Sequence, residues 1–331
     1  FSDYETSIIP FEIPVFVNNY VNNRIAETAG LECDPDTNVY TNYTPDAEEP
    51  ATIISVPSYH VVEKGDGTFD SVKVAGISSD LFQGNTEITG VILGHHITEI
   101  PDNAFAGCTN LRYVICPGVT KIGNNAFDGC VSLNTFTVSE EITSVGRDAF
   151  RGVPEIVAVA ADATIAKNIA ESGALKITLD MGVVPEEQLA GLSFHVDGQK
   201  DNHVEGEDVI YNIDTFELRG KDRTYPGLVL KSEAVNTVIN GVNITNGTGI
   251  SLNLTSENVT LNRVSVDTAG YAMLLSAPTT NVILGATNTL KSAGGNTVVS
   301  RSIALSGIPD NTVDKLIVDG KVLYCGTLTG E

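Results

Sequence analysis

A short motif returns along this chain every 22 or 23 residues, and no other feature limits the fold so severely. Leu81-Phe82, Ala104-Phe105, Ala126-Phe127 and Ala149-Phe150 are each followed, six residues after the Phe, by Ile88, Leu111, Leu133 or Ile156. Three residues past each Phe stand Asn85, Cys108, Cys130 and Val153. Eight before it stand Val74, Ile97, Val119 and Ile142, with Ile77, Ile100, Ile122 and Val145 three further on. An apolar frame kept in step at this period specifies a solenoid, in which each turn buries its face only against its neighbours.

The unit beginning at Ile97 reads Ile-Thr-Glu-Ile-Pro-Asp-Asn-Ala-Phe-Ala-Gly-Cys-Thr-Asn-Leu, and the one at Val119 reads Val-Thr-Lys-Ile-Gly-Asn-Asn-Ala-Phe-Asp-Gly-Cys-Val-Ser-Leu. Over about residues 74–178 this frame resembles the BspA-like leucine-rich repeats of microbial surface proteins. Residues 164–175 (Thr-Ile-Ala-Lys-Asn-Ile-Ala-Glu-Ser-Gly-Ala-Leu) are similar to the short helix that commonly closes such arrays. The resemblance implies an extracellular or cell-surface module for adhesion and partner recognition, binding a host or neighbouring-cell protein or a glycan. It implies no catalysis.

A second, looser repeat follows the linker at residues 180–187. Thr237/Ile239/Val242/Ile244 recur as Val259/Leu261/Val264/Val266 and then as Val282/Leu284 with Leu290, while Leu228/Leu230, Ile250/Leu252 and Ala272/Leu274 recur at the same step of about 22. Alternation repeated once per such step predicts strands of parallel coils. Asparagines keep step too, at Asn236, Asn258 and Asn281 and at Asn240 and Asn262. Stacked amides at a coil corner can bond to one another. Residues 238–290 resemble the right-handed parallel β-helix modules of pectate-lyase-like and carbohydrate-binding surface proteins.

Residues 1–72 carry no visible repeat. Phe11, Val15, Val17, Val21 and Ile25 fit loosely to one helical face over residues 11–29, residues 59–63 read as a strand, and Gly65-Asp66-Gly67 as a turn. A solenoid needs a cover for its first core face. The predicted fold class is therefore a mainly β solenoid: a small mixed α/β N-terminal cap or docking segment (1–72), a four-unit leucine-rich-repeat array with its closing helix (73–179), and a parallel β-helix-like domain (180–331).

Composition narrows the partners. Nineteen Lys+Arg stand against 42 Asp+Glu, a net charge of -23. That argues against nucleic acid, whose phosphates need clustered bases, and against an anionic membrane surface. No stretch approaches the roughly 20 apolar residues of a membrane span, so no membrane insertion is expected. The chain starts at Phe1, without Met and with no signal peptide ahead of it, as expected of a processed or trimmed piece. The five cysteines (Cys33, Cys108, Cys116, Cys130, Cys325) are too scattered for a disulfide scaffold or a zinc site. All five are expected to be free thiols, with Cys108 and Cys130 stacked as small buried hydrophobes.

No catalytic constellation is legible, since the few charged residues between 225 and 300 never place two acids at one coil position. An enzyme is not expected, although a polysaccharide-lyase-like enzyme on the coils is an alternative, and a structural subunit of a surface filament or virus particle is another. No cofactor is expected. Calcium is the one cation to consider, at residues 34–38 or 201–208, but neither stretch completes a calcium loop and both read as turns. His95-His96 reads as a solvated loop pair. Strand parity places Ile92, Tyr113, Ile115, Thr135 and Thr137 on the outward β face, with Ala158 and Ala160 after them. An outward Ile92-Tyr113-Ile115 cluster is unusual for solvated sheet. It meets a partner or is covered by the N-terminal segment.

Overall fold

A computed structural model describes residues 28–328 apart from 49, 202–208, 248, 286, 294–297, 301–302, 308–310 and 319–320. The helix expected over 11–29 lies outside the described residues except for its last two positions, which are not helical.

The protein is a β-solenoid, as its period requires. On one face parallel strands follow in order. Ile53–Val56, Gly90–Leu93 and Tyr113–Ile115 pair in register, and the Asn134 amide donates to the Arg112 carbonyl at 2.8 Å, carrying the stack to the next turn. There Phe136–Val138, Glu155–Val159 and Lys176–Asp180 continue the ladder into Thr215–Pro226, Asn236–Asn246 and Asn258–Thr268. The boundary expected at 179/180 thus falls inside a strand bonded on both sides, and the leucine-rich turns and the downstream coils share one sheet.

Each leucine-rich turn is built by the same local chemistry. Asp80, Asn103, Asn125 and Asp148 stand four residues before Gly84, Gly107, Gly129 and Gly152, and all eight adopt positive φ. Asn, Asp and Gly tolerate that region where other residues are strained. The two left-handed corners fold the intervening Ala-Phe inward, so Phe82, Phe105, Phe127 and Phe150 are fully buried and form one stack. Successive centroids lie 5.4, 5.5 and 5.7 Å apart with planes within 10° of parallel. Tyr43 lies edge-on across Phe82 at 5.7 Å and covers the N-terminal end of the stack.

Cys108 and Cys130 sit one turn apart beside the rings, and their thiols donate to the carbonyls of Phe82 and Phe105 at 3.1 Å. The four cysteines whose side chains are described (Cys33, Cys108, Cys116, Cys130) form no disulfide with one another. The closing helix runs from Ala163 to Ala170, capped by the Asp162 carboxylate on the Ile165 amide at 2.8 Å. It is shorter than the sequence suggests because the chain turns at Gly173, which has φ 83°.

Downstream, each coil carries three strands. A first segment (236–240, 258–262) bends at Gly241 or Arg263, both at positive φ, into a second (242–246, 264–268), and a third side stacks Ser193–Val196, Val229–Ser232, Ile250–Leu254 and Tyr271–Leu275. The asparagine ladders are present: Asn258 donates to Asn236 at 2.8 Å and Asn281 to Asn258 at 3.1 Å, while Asn262 donates to Asn240 at 2.7 Å. The expected linker is packed rather than loose, since Met181 and Val184 are buried and the Arg223 guanidinium donates to the carbonyls of Met181, Gly182 and Val184.

Two outcomes follow. Phe127→Ala opens a cavity at the centre of the stack and should cost about 3 to 5 kcal/mol in denaturant unfolding; a loss under about 1 kcal/mol would contradict the packing. Burial pushes the Cys108 thiol up to about 12 and Cys130 well above its ordinary value. Both should therefore resist a thiol reagent in the native protein and react only on unfolding.

Candidate functional site

The outward face of the long sheet is where the chain presents side chains it does not need for its own core. Ile53, Gly90 and Tyr113 lie side by side, and next to them Ser55, Ile92 and Ile115. Gly90 leaves room for a ring here. A Cβ on it would stand 2.3 Å from Tyr113 Cζ, because the Tyr113 ring lies across this bare backbone. That placement leaves the phenol partly buried, and burial raises its pKa. Ile92, Tyr113 and Ile115 are only partly buried, Ile53 is 45% exposed, and Thr135 and Thr137 are exposed on the next turn. The sequence-predicted residues are thus brought together as one apolar patch, with Ile53 added, and a hydroxyl-bearing margin.

Parity fails one turn later. Phe136 pairs with Ile156 rather than with Val159, so the fourth turn enters the sheet three residues early, and an odd slip exchanges the two faces. Ala158 and Ala160 are buried, and Val157 takes the outward place beside Thr137. Glu155, next to it, accepts a hydrogen bond from Thr135 Oγ1 at 2.6 Å. Beyond this point the face is polar, with Glu217 bonded to both Arg219 and Asn240, until Val238, Thr260 and Ile283 form a middle row between the two asparagine ladders.

His95 and His96 are only partly exposed and are held by neighbours at the start of another strand. The Ser58 hydroxyl lies 3.1 Å from His95 Nδ1, and the Tyr59 ring packs edge-on against His96 at 4.8 Å. The pair thereby anchors the hairpin Tyr59–Glu63/Phe69–Lys73, whose Val61 and Phe69 are 67% and 65% exposed. Desolvation lowers the pKa of His95, with the charge of His96 adding to it. At the first calcium candidate, Asp34 Oδ1 accepts the amides of Asp36 and Thr37 at 2.8 and 3.3 Å, a turn stabilised by its own backbone. At the second, residues 202–208 lie outside the described set.

Three polar features escaped the sequence reading. Asp128 and Arg151 each follow a stacked Phe, so they meet in the core as a two-pronged pair, with Arg151 Nε at 2.9 Å from Asp128 Oδ1 and both residues almost fully buried. Their equivalent repeat positions were the available signal. Asn288 and Asn311 form a third, buried amide ladder. His195, Asp197 and Glu233 gather at the outer surface of the first downstream coil, where loop residues join stacked strands. Removing Arg151 alone (Arg151→Met) leaves a buried uncompensated carboxylate and should cost about 3 to 5 kcal/mol, whereas Asp128→Leu/Arg151→Met should come close to the parent in urea unfolding.

No helix among the described residues is long and apolar enough to cross a membrane. A search of curated proteins found no match. Among solved structures, the chain is similar to a leucine-rich-repeat protein of Treponema pallidum, at 16% identity and a TM-score of 0.33 over 50% of this chain and 92% of that one. It is similar also to a leucine-rich cell surface protein of Faecalibacterium prausnitzii, at 13% identity and 0.32 over 79% and 89%, and to a leucine-rich-repeat protein of Bacteroides ovatus, at 13% and 0.30 over 86% and 88%. Residues 69–171 match the family described as BspA type leucine rich repeat region, in six copies.

Proposed function

We propose that the chain is a non-enzymatic recognition protein acting outside the cell or at its surface, with its partner-binding surface at Ile92, Tyr113, Ile115, Thr135 and Thr137. The observation that carries this reading is the patch itself: aliphatic side chains around one tyrosine, lying outward on strands whose alternate residues Ile54, Val91 and Leu93 are buried in the core. Isolated outward apolar residues need no explanation, but a cluster of four with a polar margin has the composition of an interface centre. Tyrosine is the side chain best suited to such a centre, since it gives large contact area with little rotamer entropy to lose. A protein ligand suits the patch better than a glycan, because the aliphatic residues outnumber the hydroxyls. The match of residues 69–171 to surface-protein repeats supports the extracellular setting.

The test is a binding screen of the chain against arrayed extracellular-matrix proteins and glycans, followed by Tyr113→Glu. Binding to the captured partner should weaken by about 2 kcal/mol, roughly thirtyfold in Kd, with the melting temperature unchanged. Full binding by Tyr113→Glu would place the partner site elsewhere. Removing residues 1–27 distinguishes an outside partner, whose binding persists, from cover by the chain's own N-terminal segment, whose loss would leave the patch prone to self-association.

A further inference from the structure

Among the described residues, four ladder positions set an acid against a base. Glu99 pairs with Lys121, Glu155 with Lys176, Asp180 with Arg219 and Asp267 with Lys291; in each, acid lies against base on the adjacent turn. Like charges directly opposite in a ladder are destabilising, so this alternation is what a stable stack requires. On the third side of the first downstream coil the rule is broken. Val196 pairs with Ser232, and the residues that follow in the two strands are Asp197 and Glu233, two carboxylates stacked in step. One position earlier His195 pairs with Lys231.

Phe194, Val196, Leu230 and Ser232 are buried, so alternation turns His195 and Lys231 outward together, and Asp197 and Glu233 after them. His195 Nε2 stands 3.3 Å from Glu233 Oε1, and the Asp197 carboxylate lies within 4.8 Å of both. Ligands at bond lengths of about 2.0 to 2.2 Å in a tetrahedron stand about 3.3 to 3.6 Å from one another, so the His195–Glu233 separation is at the short end of a zinc-ligand edge. Only Asp197 must close in, and it is free to do so at a partly exposed position. A cation already sits there: the Lys231 ammonium is 2.5 Å from Glu233 Oε1 and 3.0 Å from His195 Nε2. Nε2 therefore lies between an ammonium and a carboxylate, the position a divalent cation would take over.

We infer that His195, Asp197 and Glu233 form a surface site for a divalent transition metal of the zinc class, with the Lys231 ammonium as the internal cation that the metal displaces. One nitrogen and two carboxylate oxygens select zinc over calcium, which takes six to eight oxygens. The fourth position stays open to water or to a side chain of a partner.

Isothermal titration of the intact chain with zinc tests this, with anomalous diffraction at the zinc edge to place the ion. One zinc per chain should lie between His195 and Glu233. His195→Ala should weaken binding at least tenfold, and Lys231→Ala should strengthen it by removing the competing cation. The melting temperature without zinc should stay unchanged in His195→Ala, whose side chain is exposed. Absence of binding, equal affinity in the parent and His195→Ala, an ion located at His95-His96 or beside Cys33, or weaker binding in Lys231→Ala would each overturn the assignment.

Discussion

Everything in this molecule depends on the parallel ladder that holds each turn in register with the one before it. Because the strands are parallel, a residue packs against its equivalent on the adjacent turn, 22 or 23 positions away in most turns, and the consequences differ by side chain. Phenylalanines stack face to face in the core, where their aromatic area is removed from water without a change of rotamer. Asparagines form chains in which each amide donates to the next carbonyl, satisfying groups that a coil bend would otherwise strand. Charged residues cannot stack on themselves, and the chain answers by alternating sign.

The same constraint creates the two places where function is argued. Outward residues are freed from core packing, so their composition is open to selection by a partner, and at the N-terminal end of the sheet that composition is aliphatic and aromatic. The glycine at position 90 belongs to this patch as much as the tyrosine does, since its missing Cβ is the space the Tyr113 ring occupies. At His195, Asp197 and Glu233 the stack departs from its own charge rule, and the local geometry already supports a cation. The buried Asp128–Arg151 pair is the interior counterpart. It is locked between turns and screened from water, so its role is confined to specifying how those turns meet.

The solenoid, the stacked Phe and Cys positions and the asparagine ladders were legible in the sequence, because each is a property that repeats at fixed spacing. Cys130 could be placed over Cys108 by counting, whereas the left-handed corners at Asn125 and Gly129 came only with the structure. Parity on the first three turns followed from the same count. It failed at Ala158 and Ala160 because the fourth turn spends three fewer residues before its strand, a length change that no periodic frame can register in advance.

Contacts made outside the repeat follow no fixed spacing and emerge only in the folded chain. The sequence divided the chain at a linker near residue 180, yet the ladder runs through it, since Lys176–Asp180 finds a partner strand on each side. His95 and His96 look like loop residues until Ser58 and Tyr59 are folded onto them. The proximity of His195, Asp197 and Glu233 joins residues 36 positions apart through a third coil side whose register the apolar pattern alone leaves undetermined. Local periodicity fixes what a residue repeats, because that is a matter of backbone spacing. Which unlike residues become neighbours depends on turn lengths and side-to-side packing, and these are set only when the whole solenoid closes.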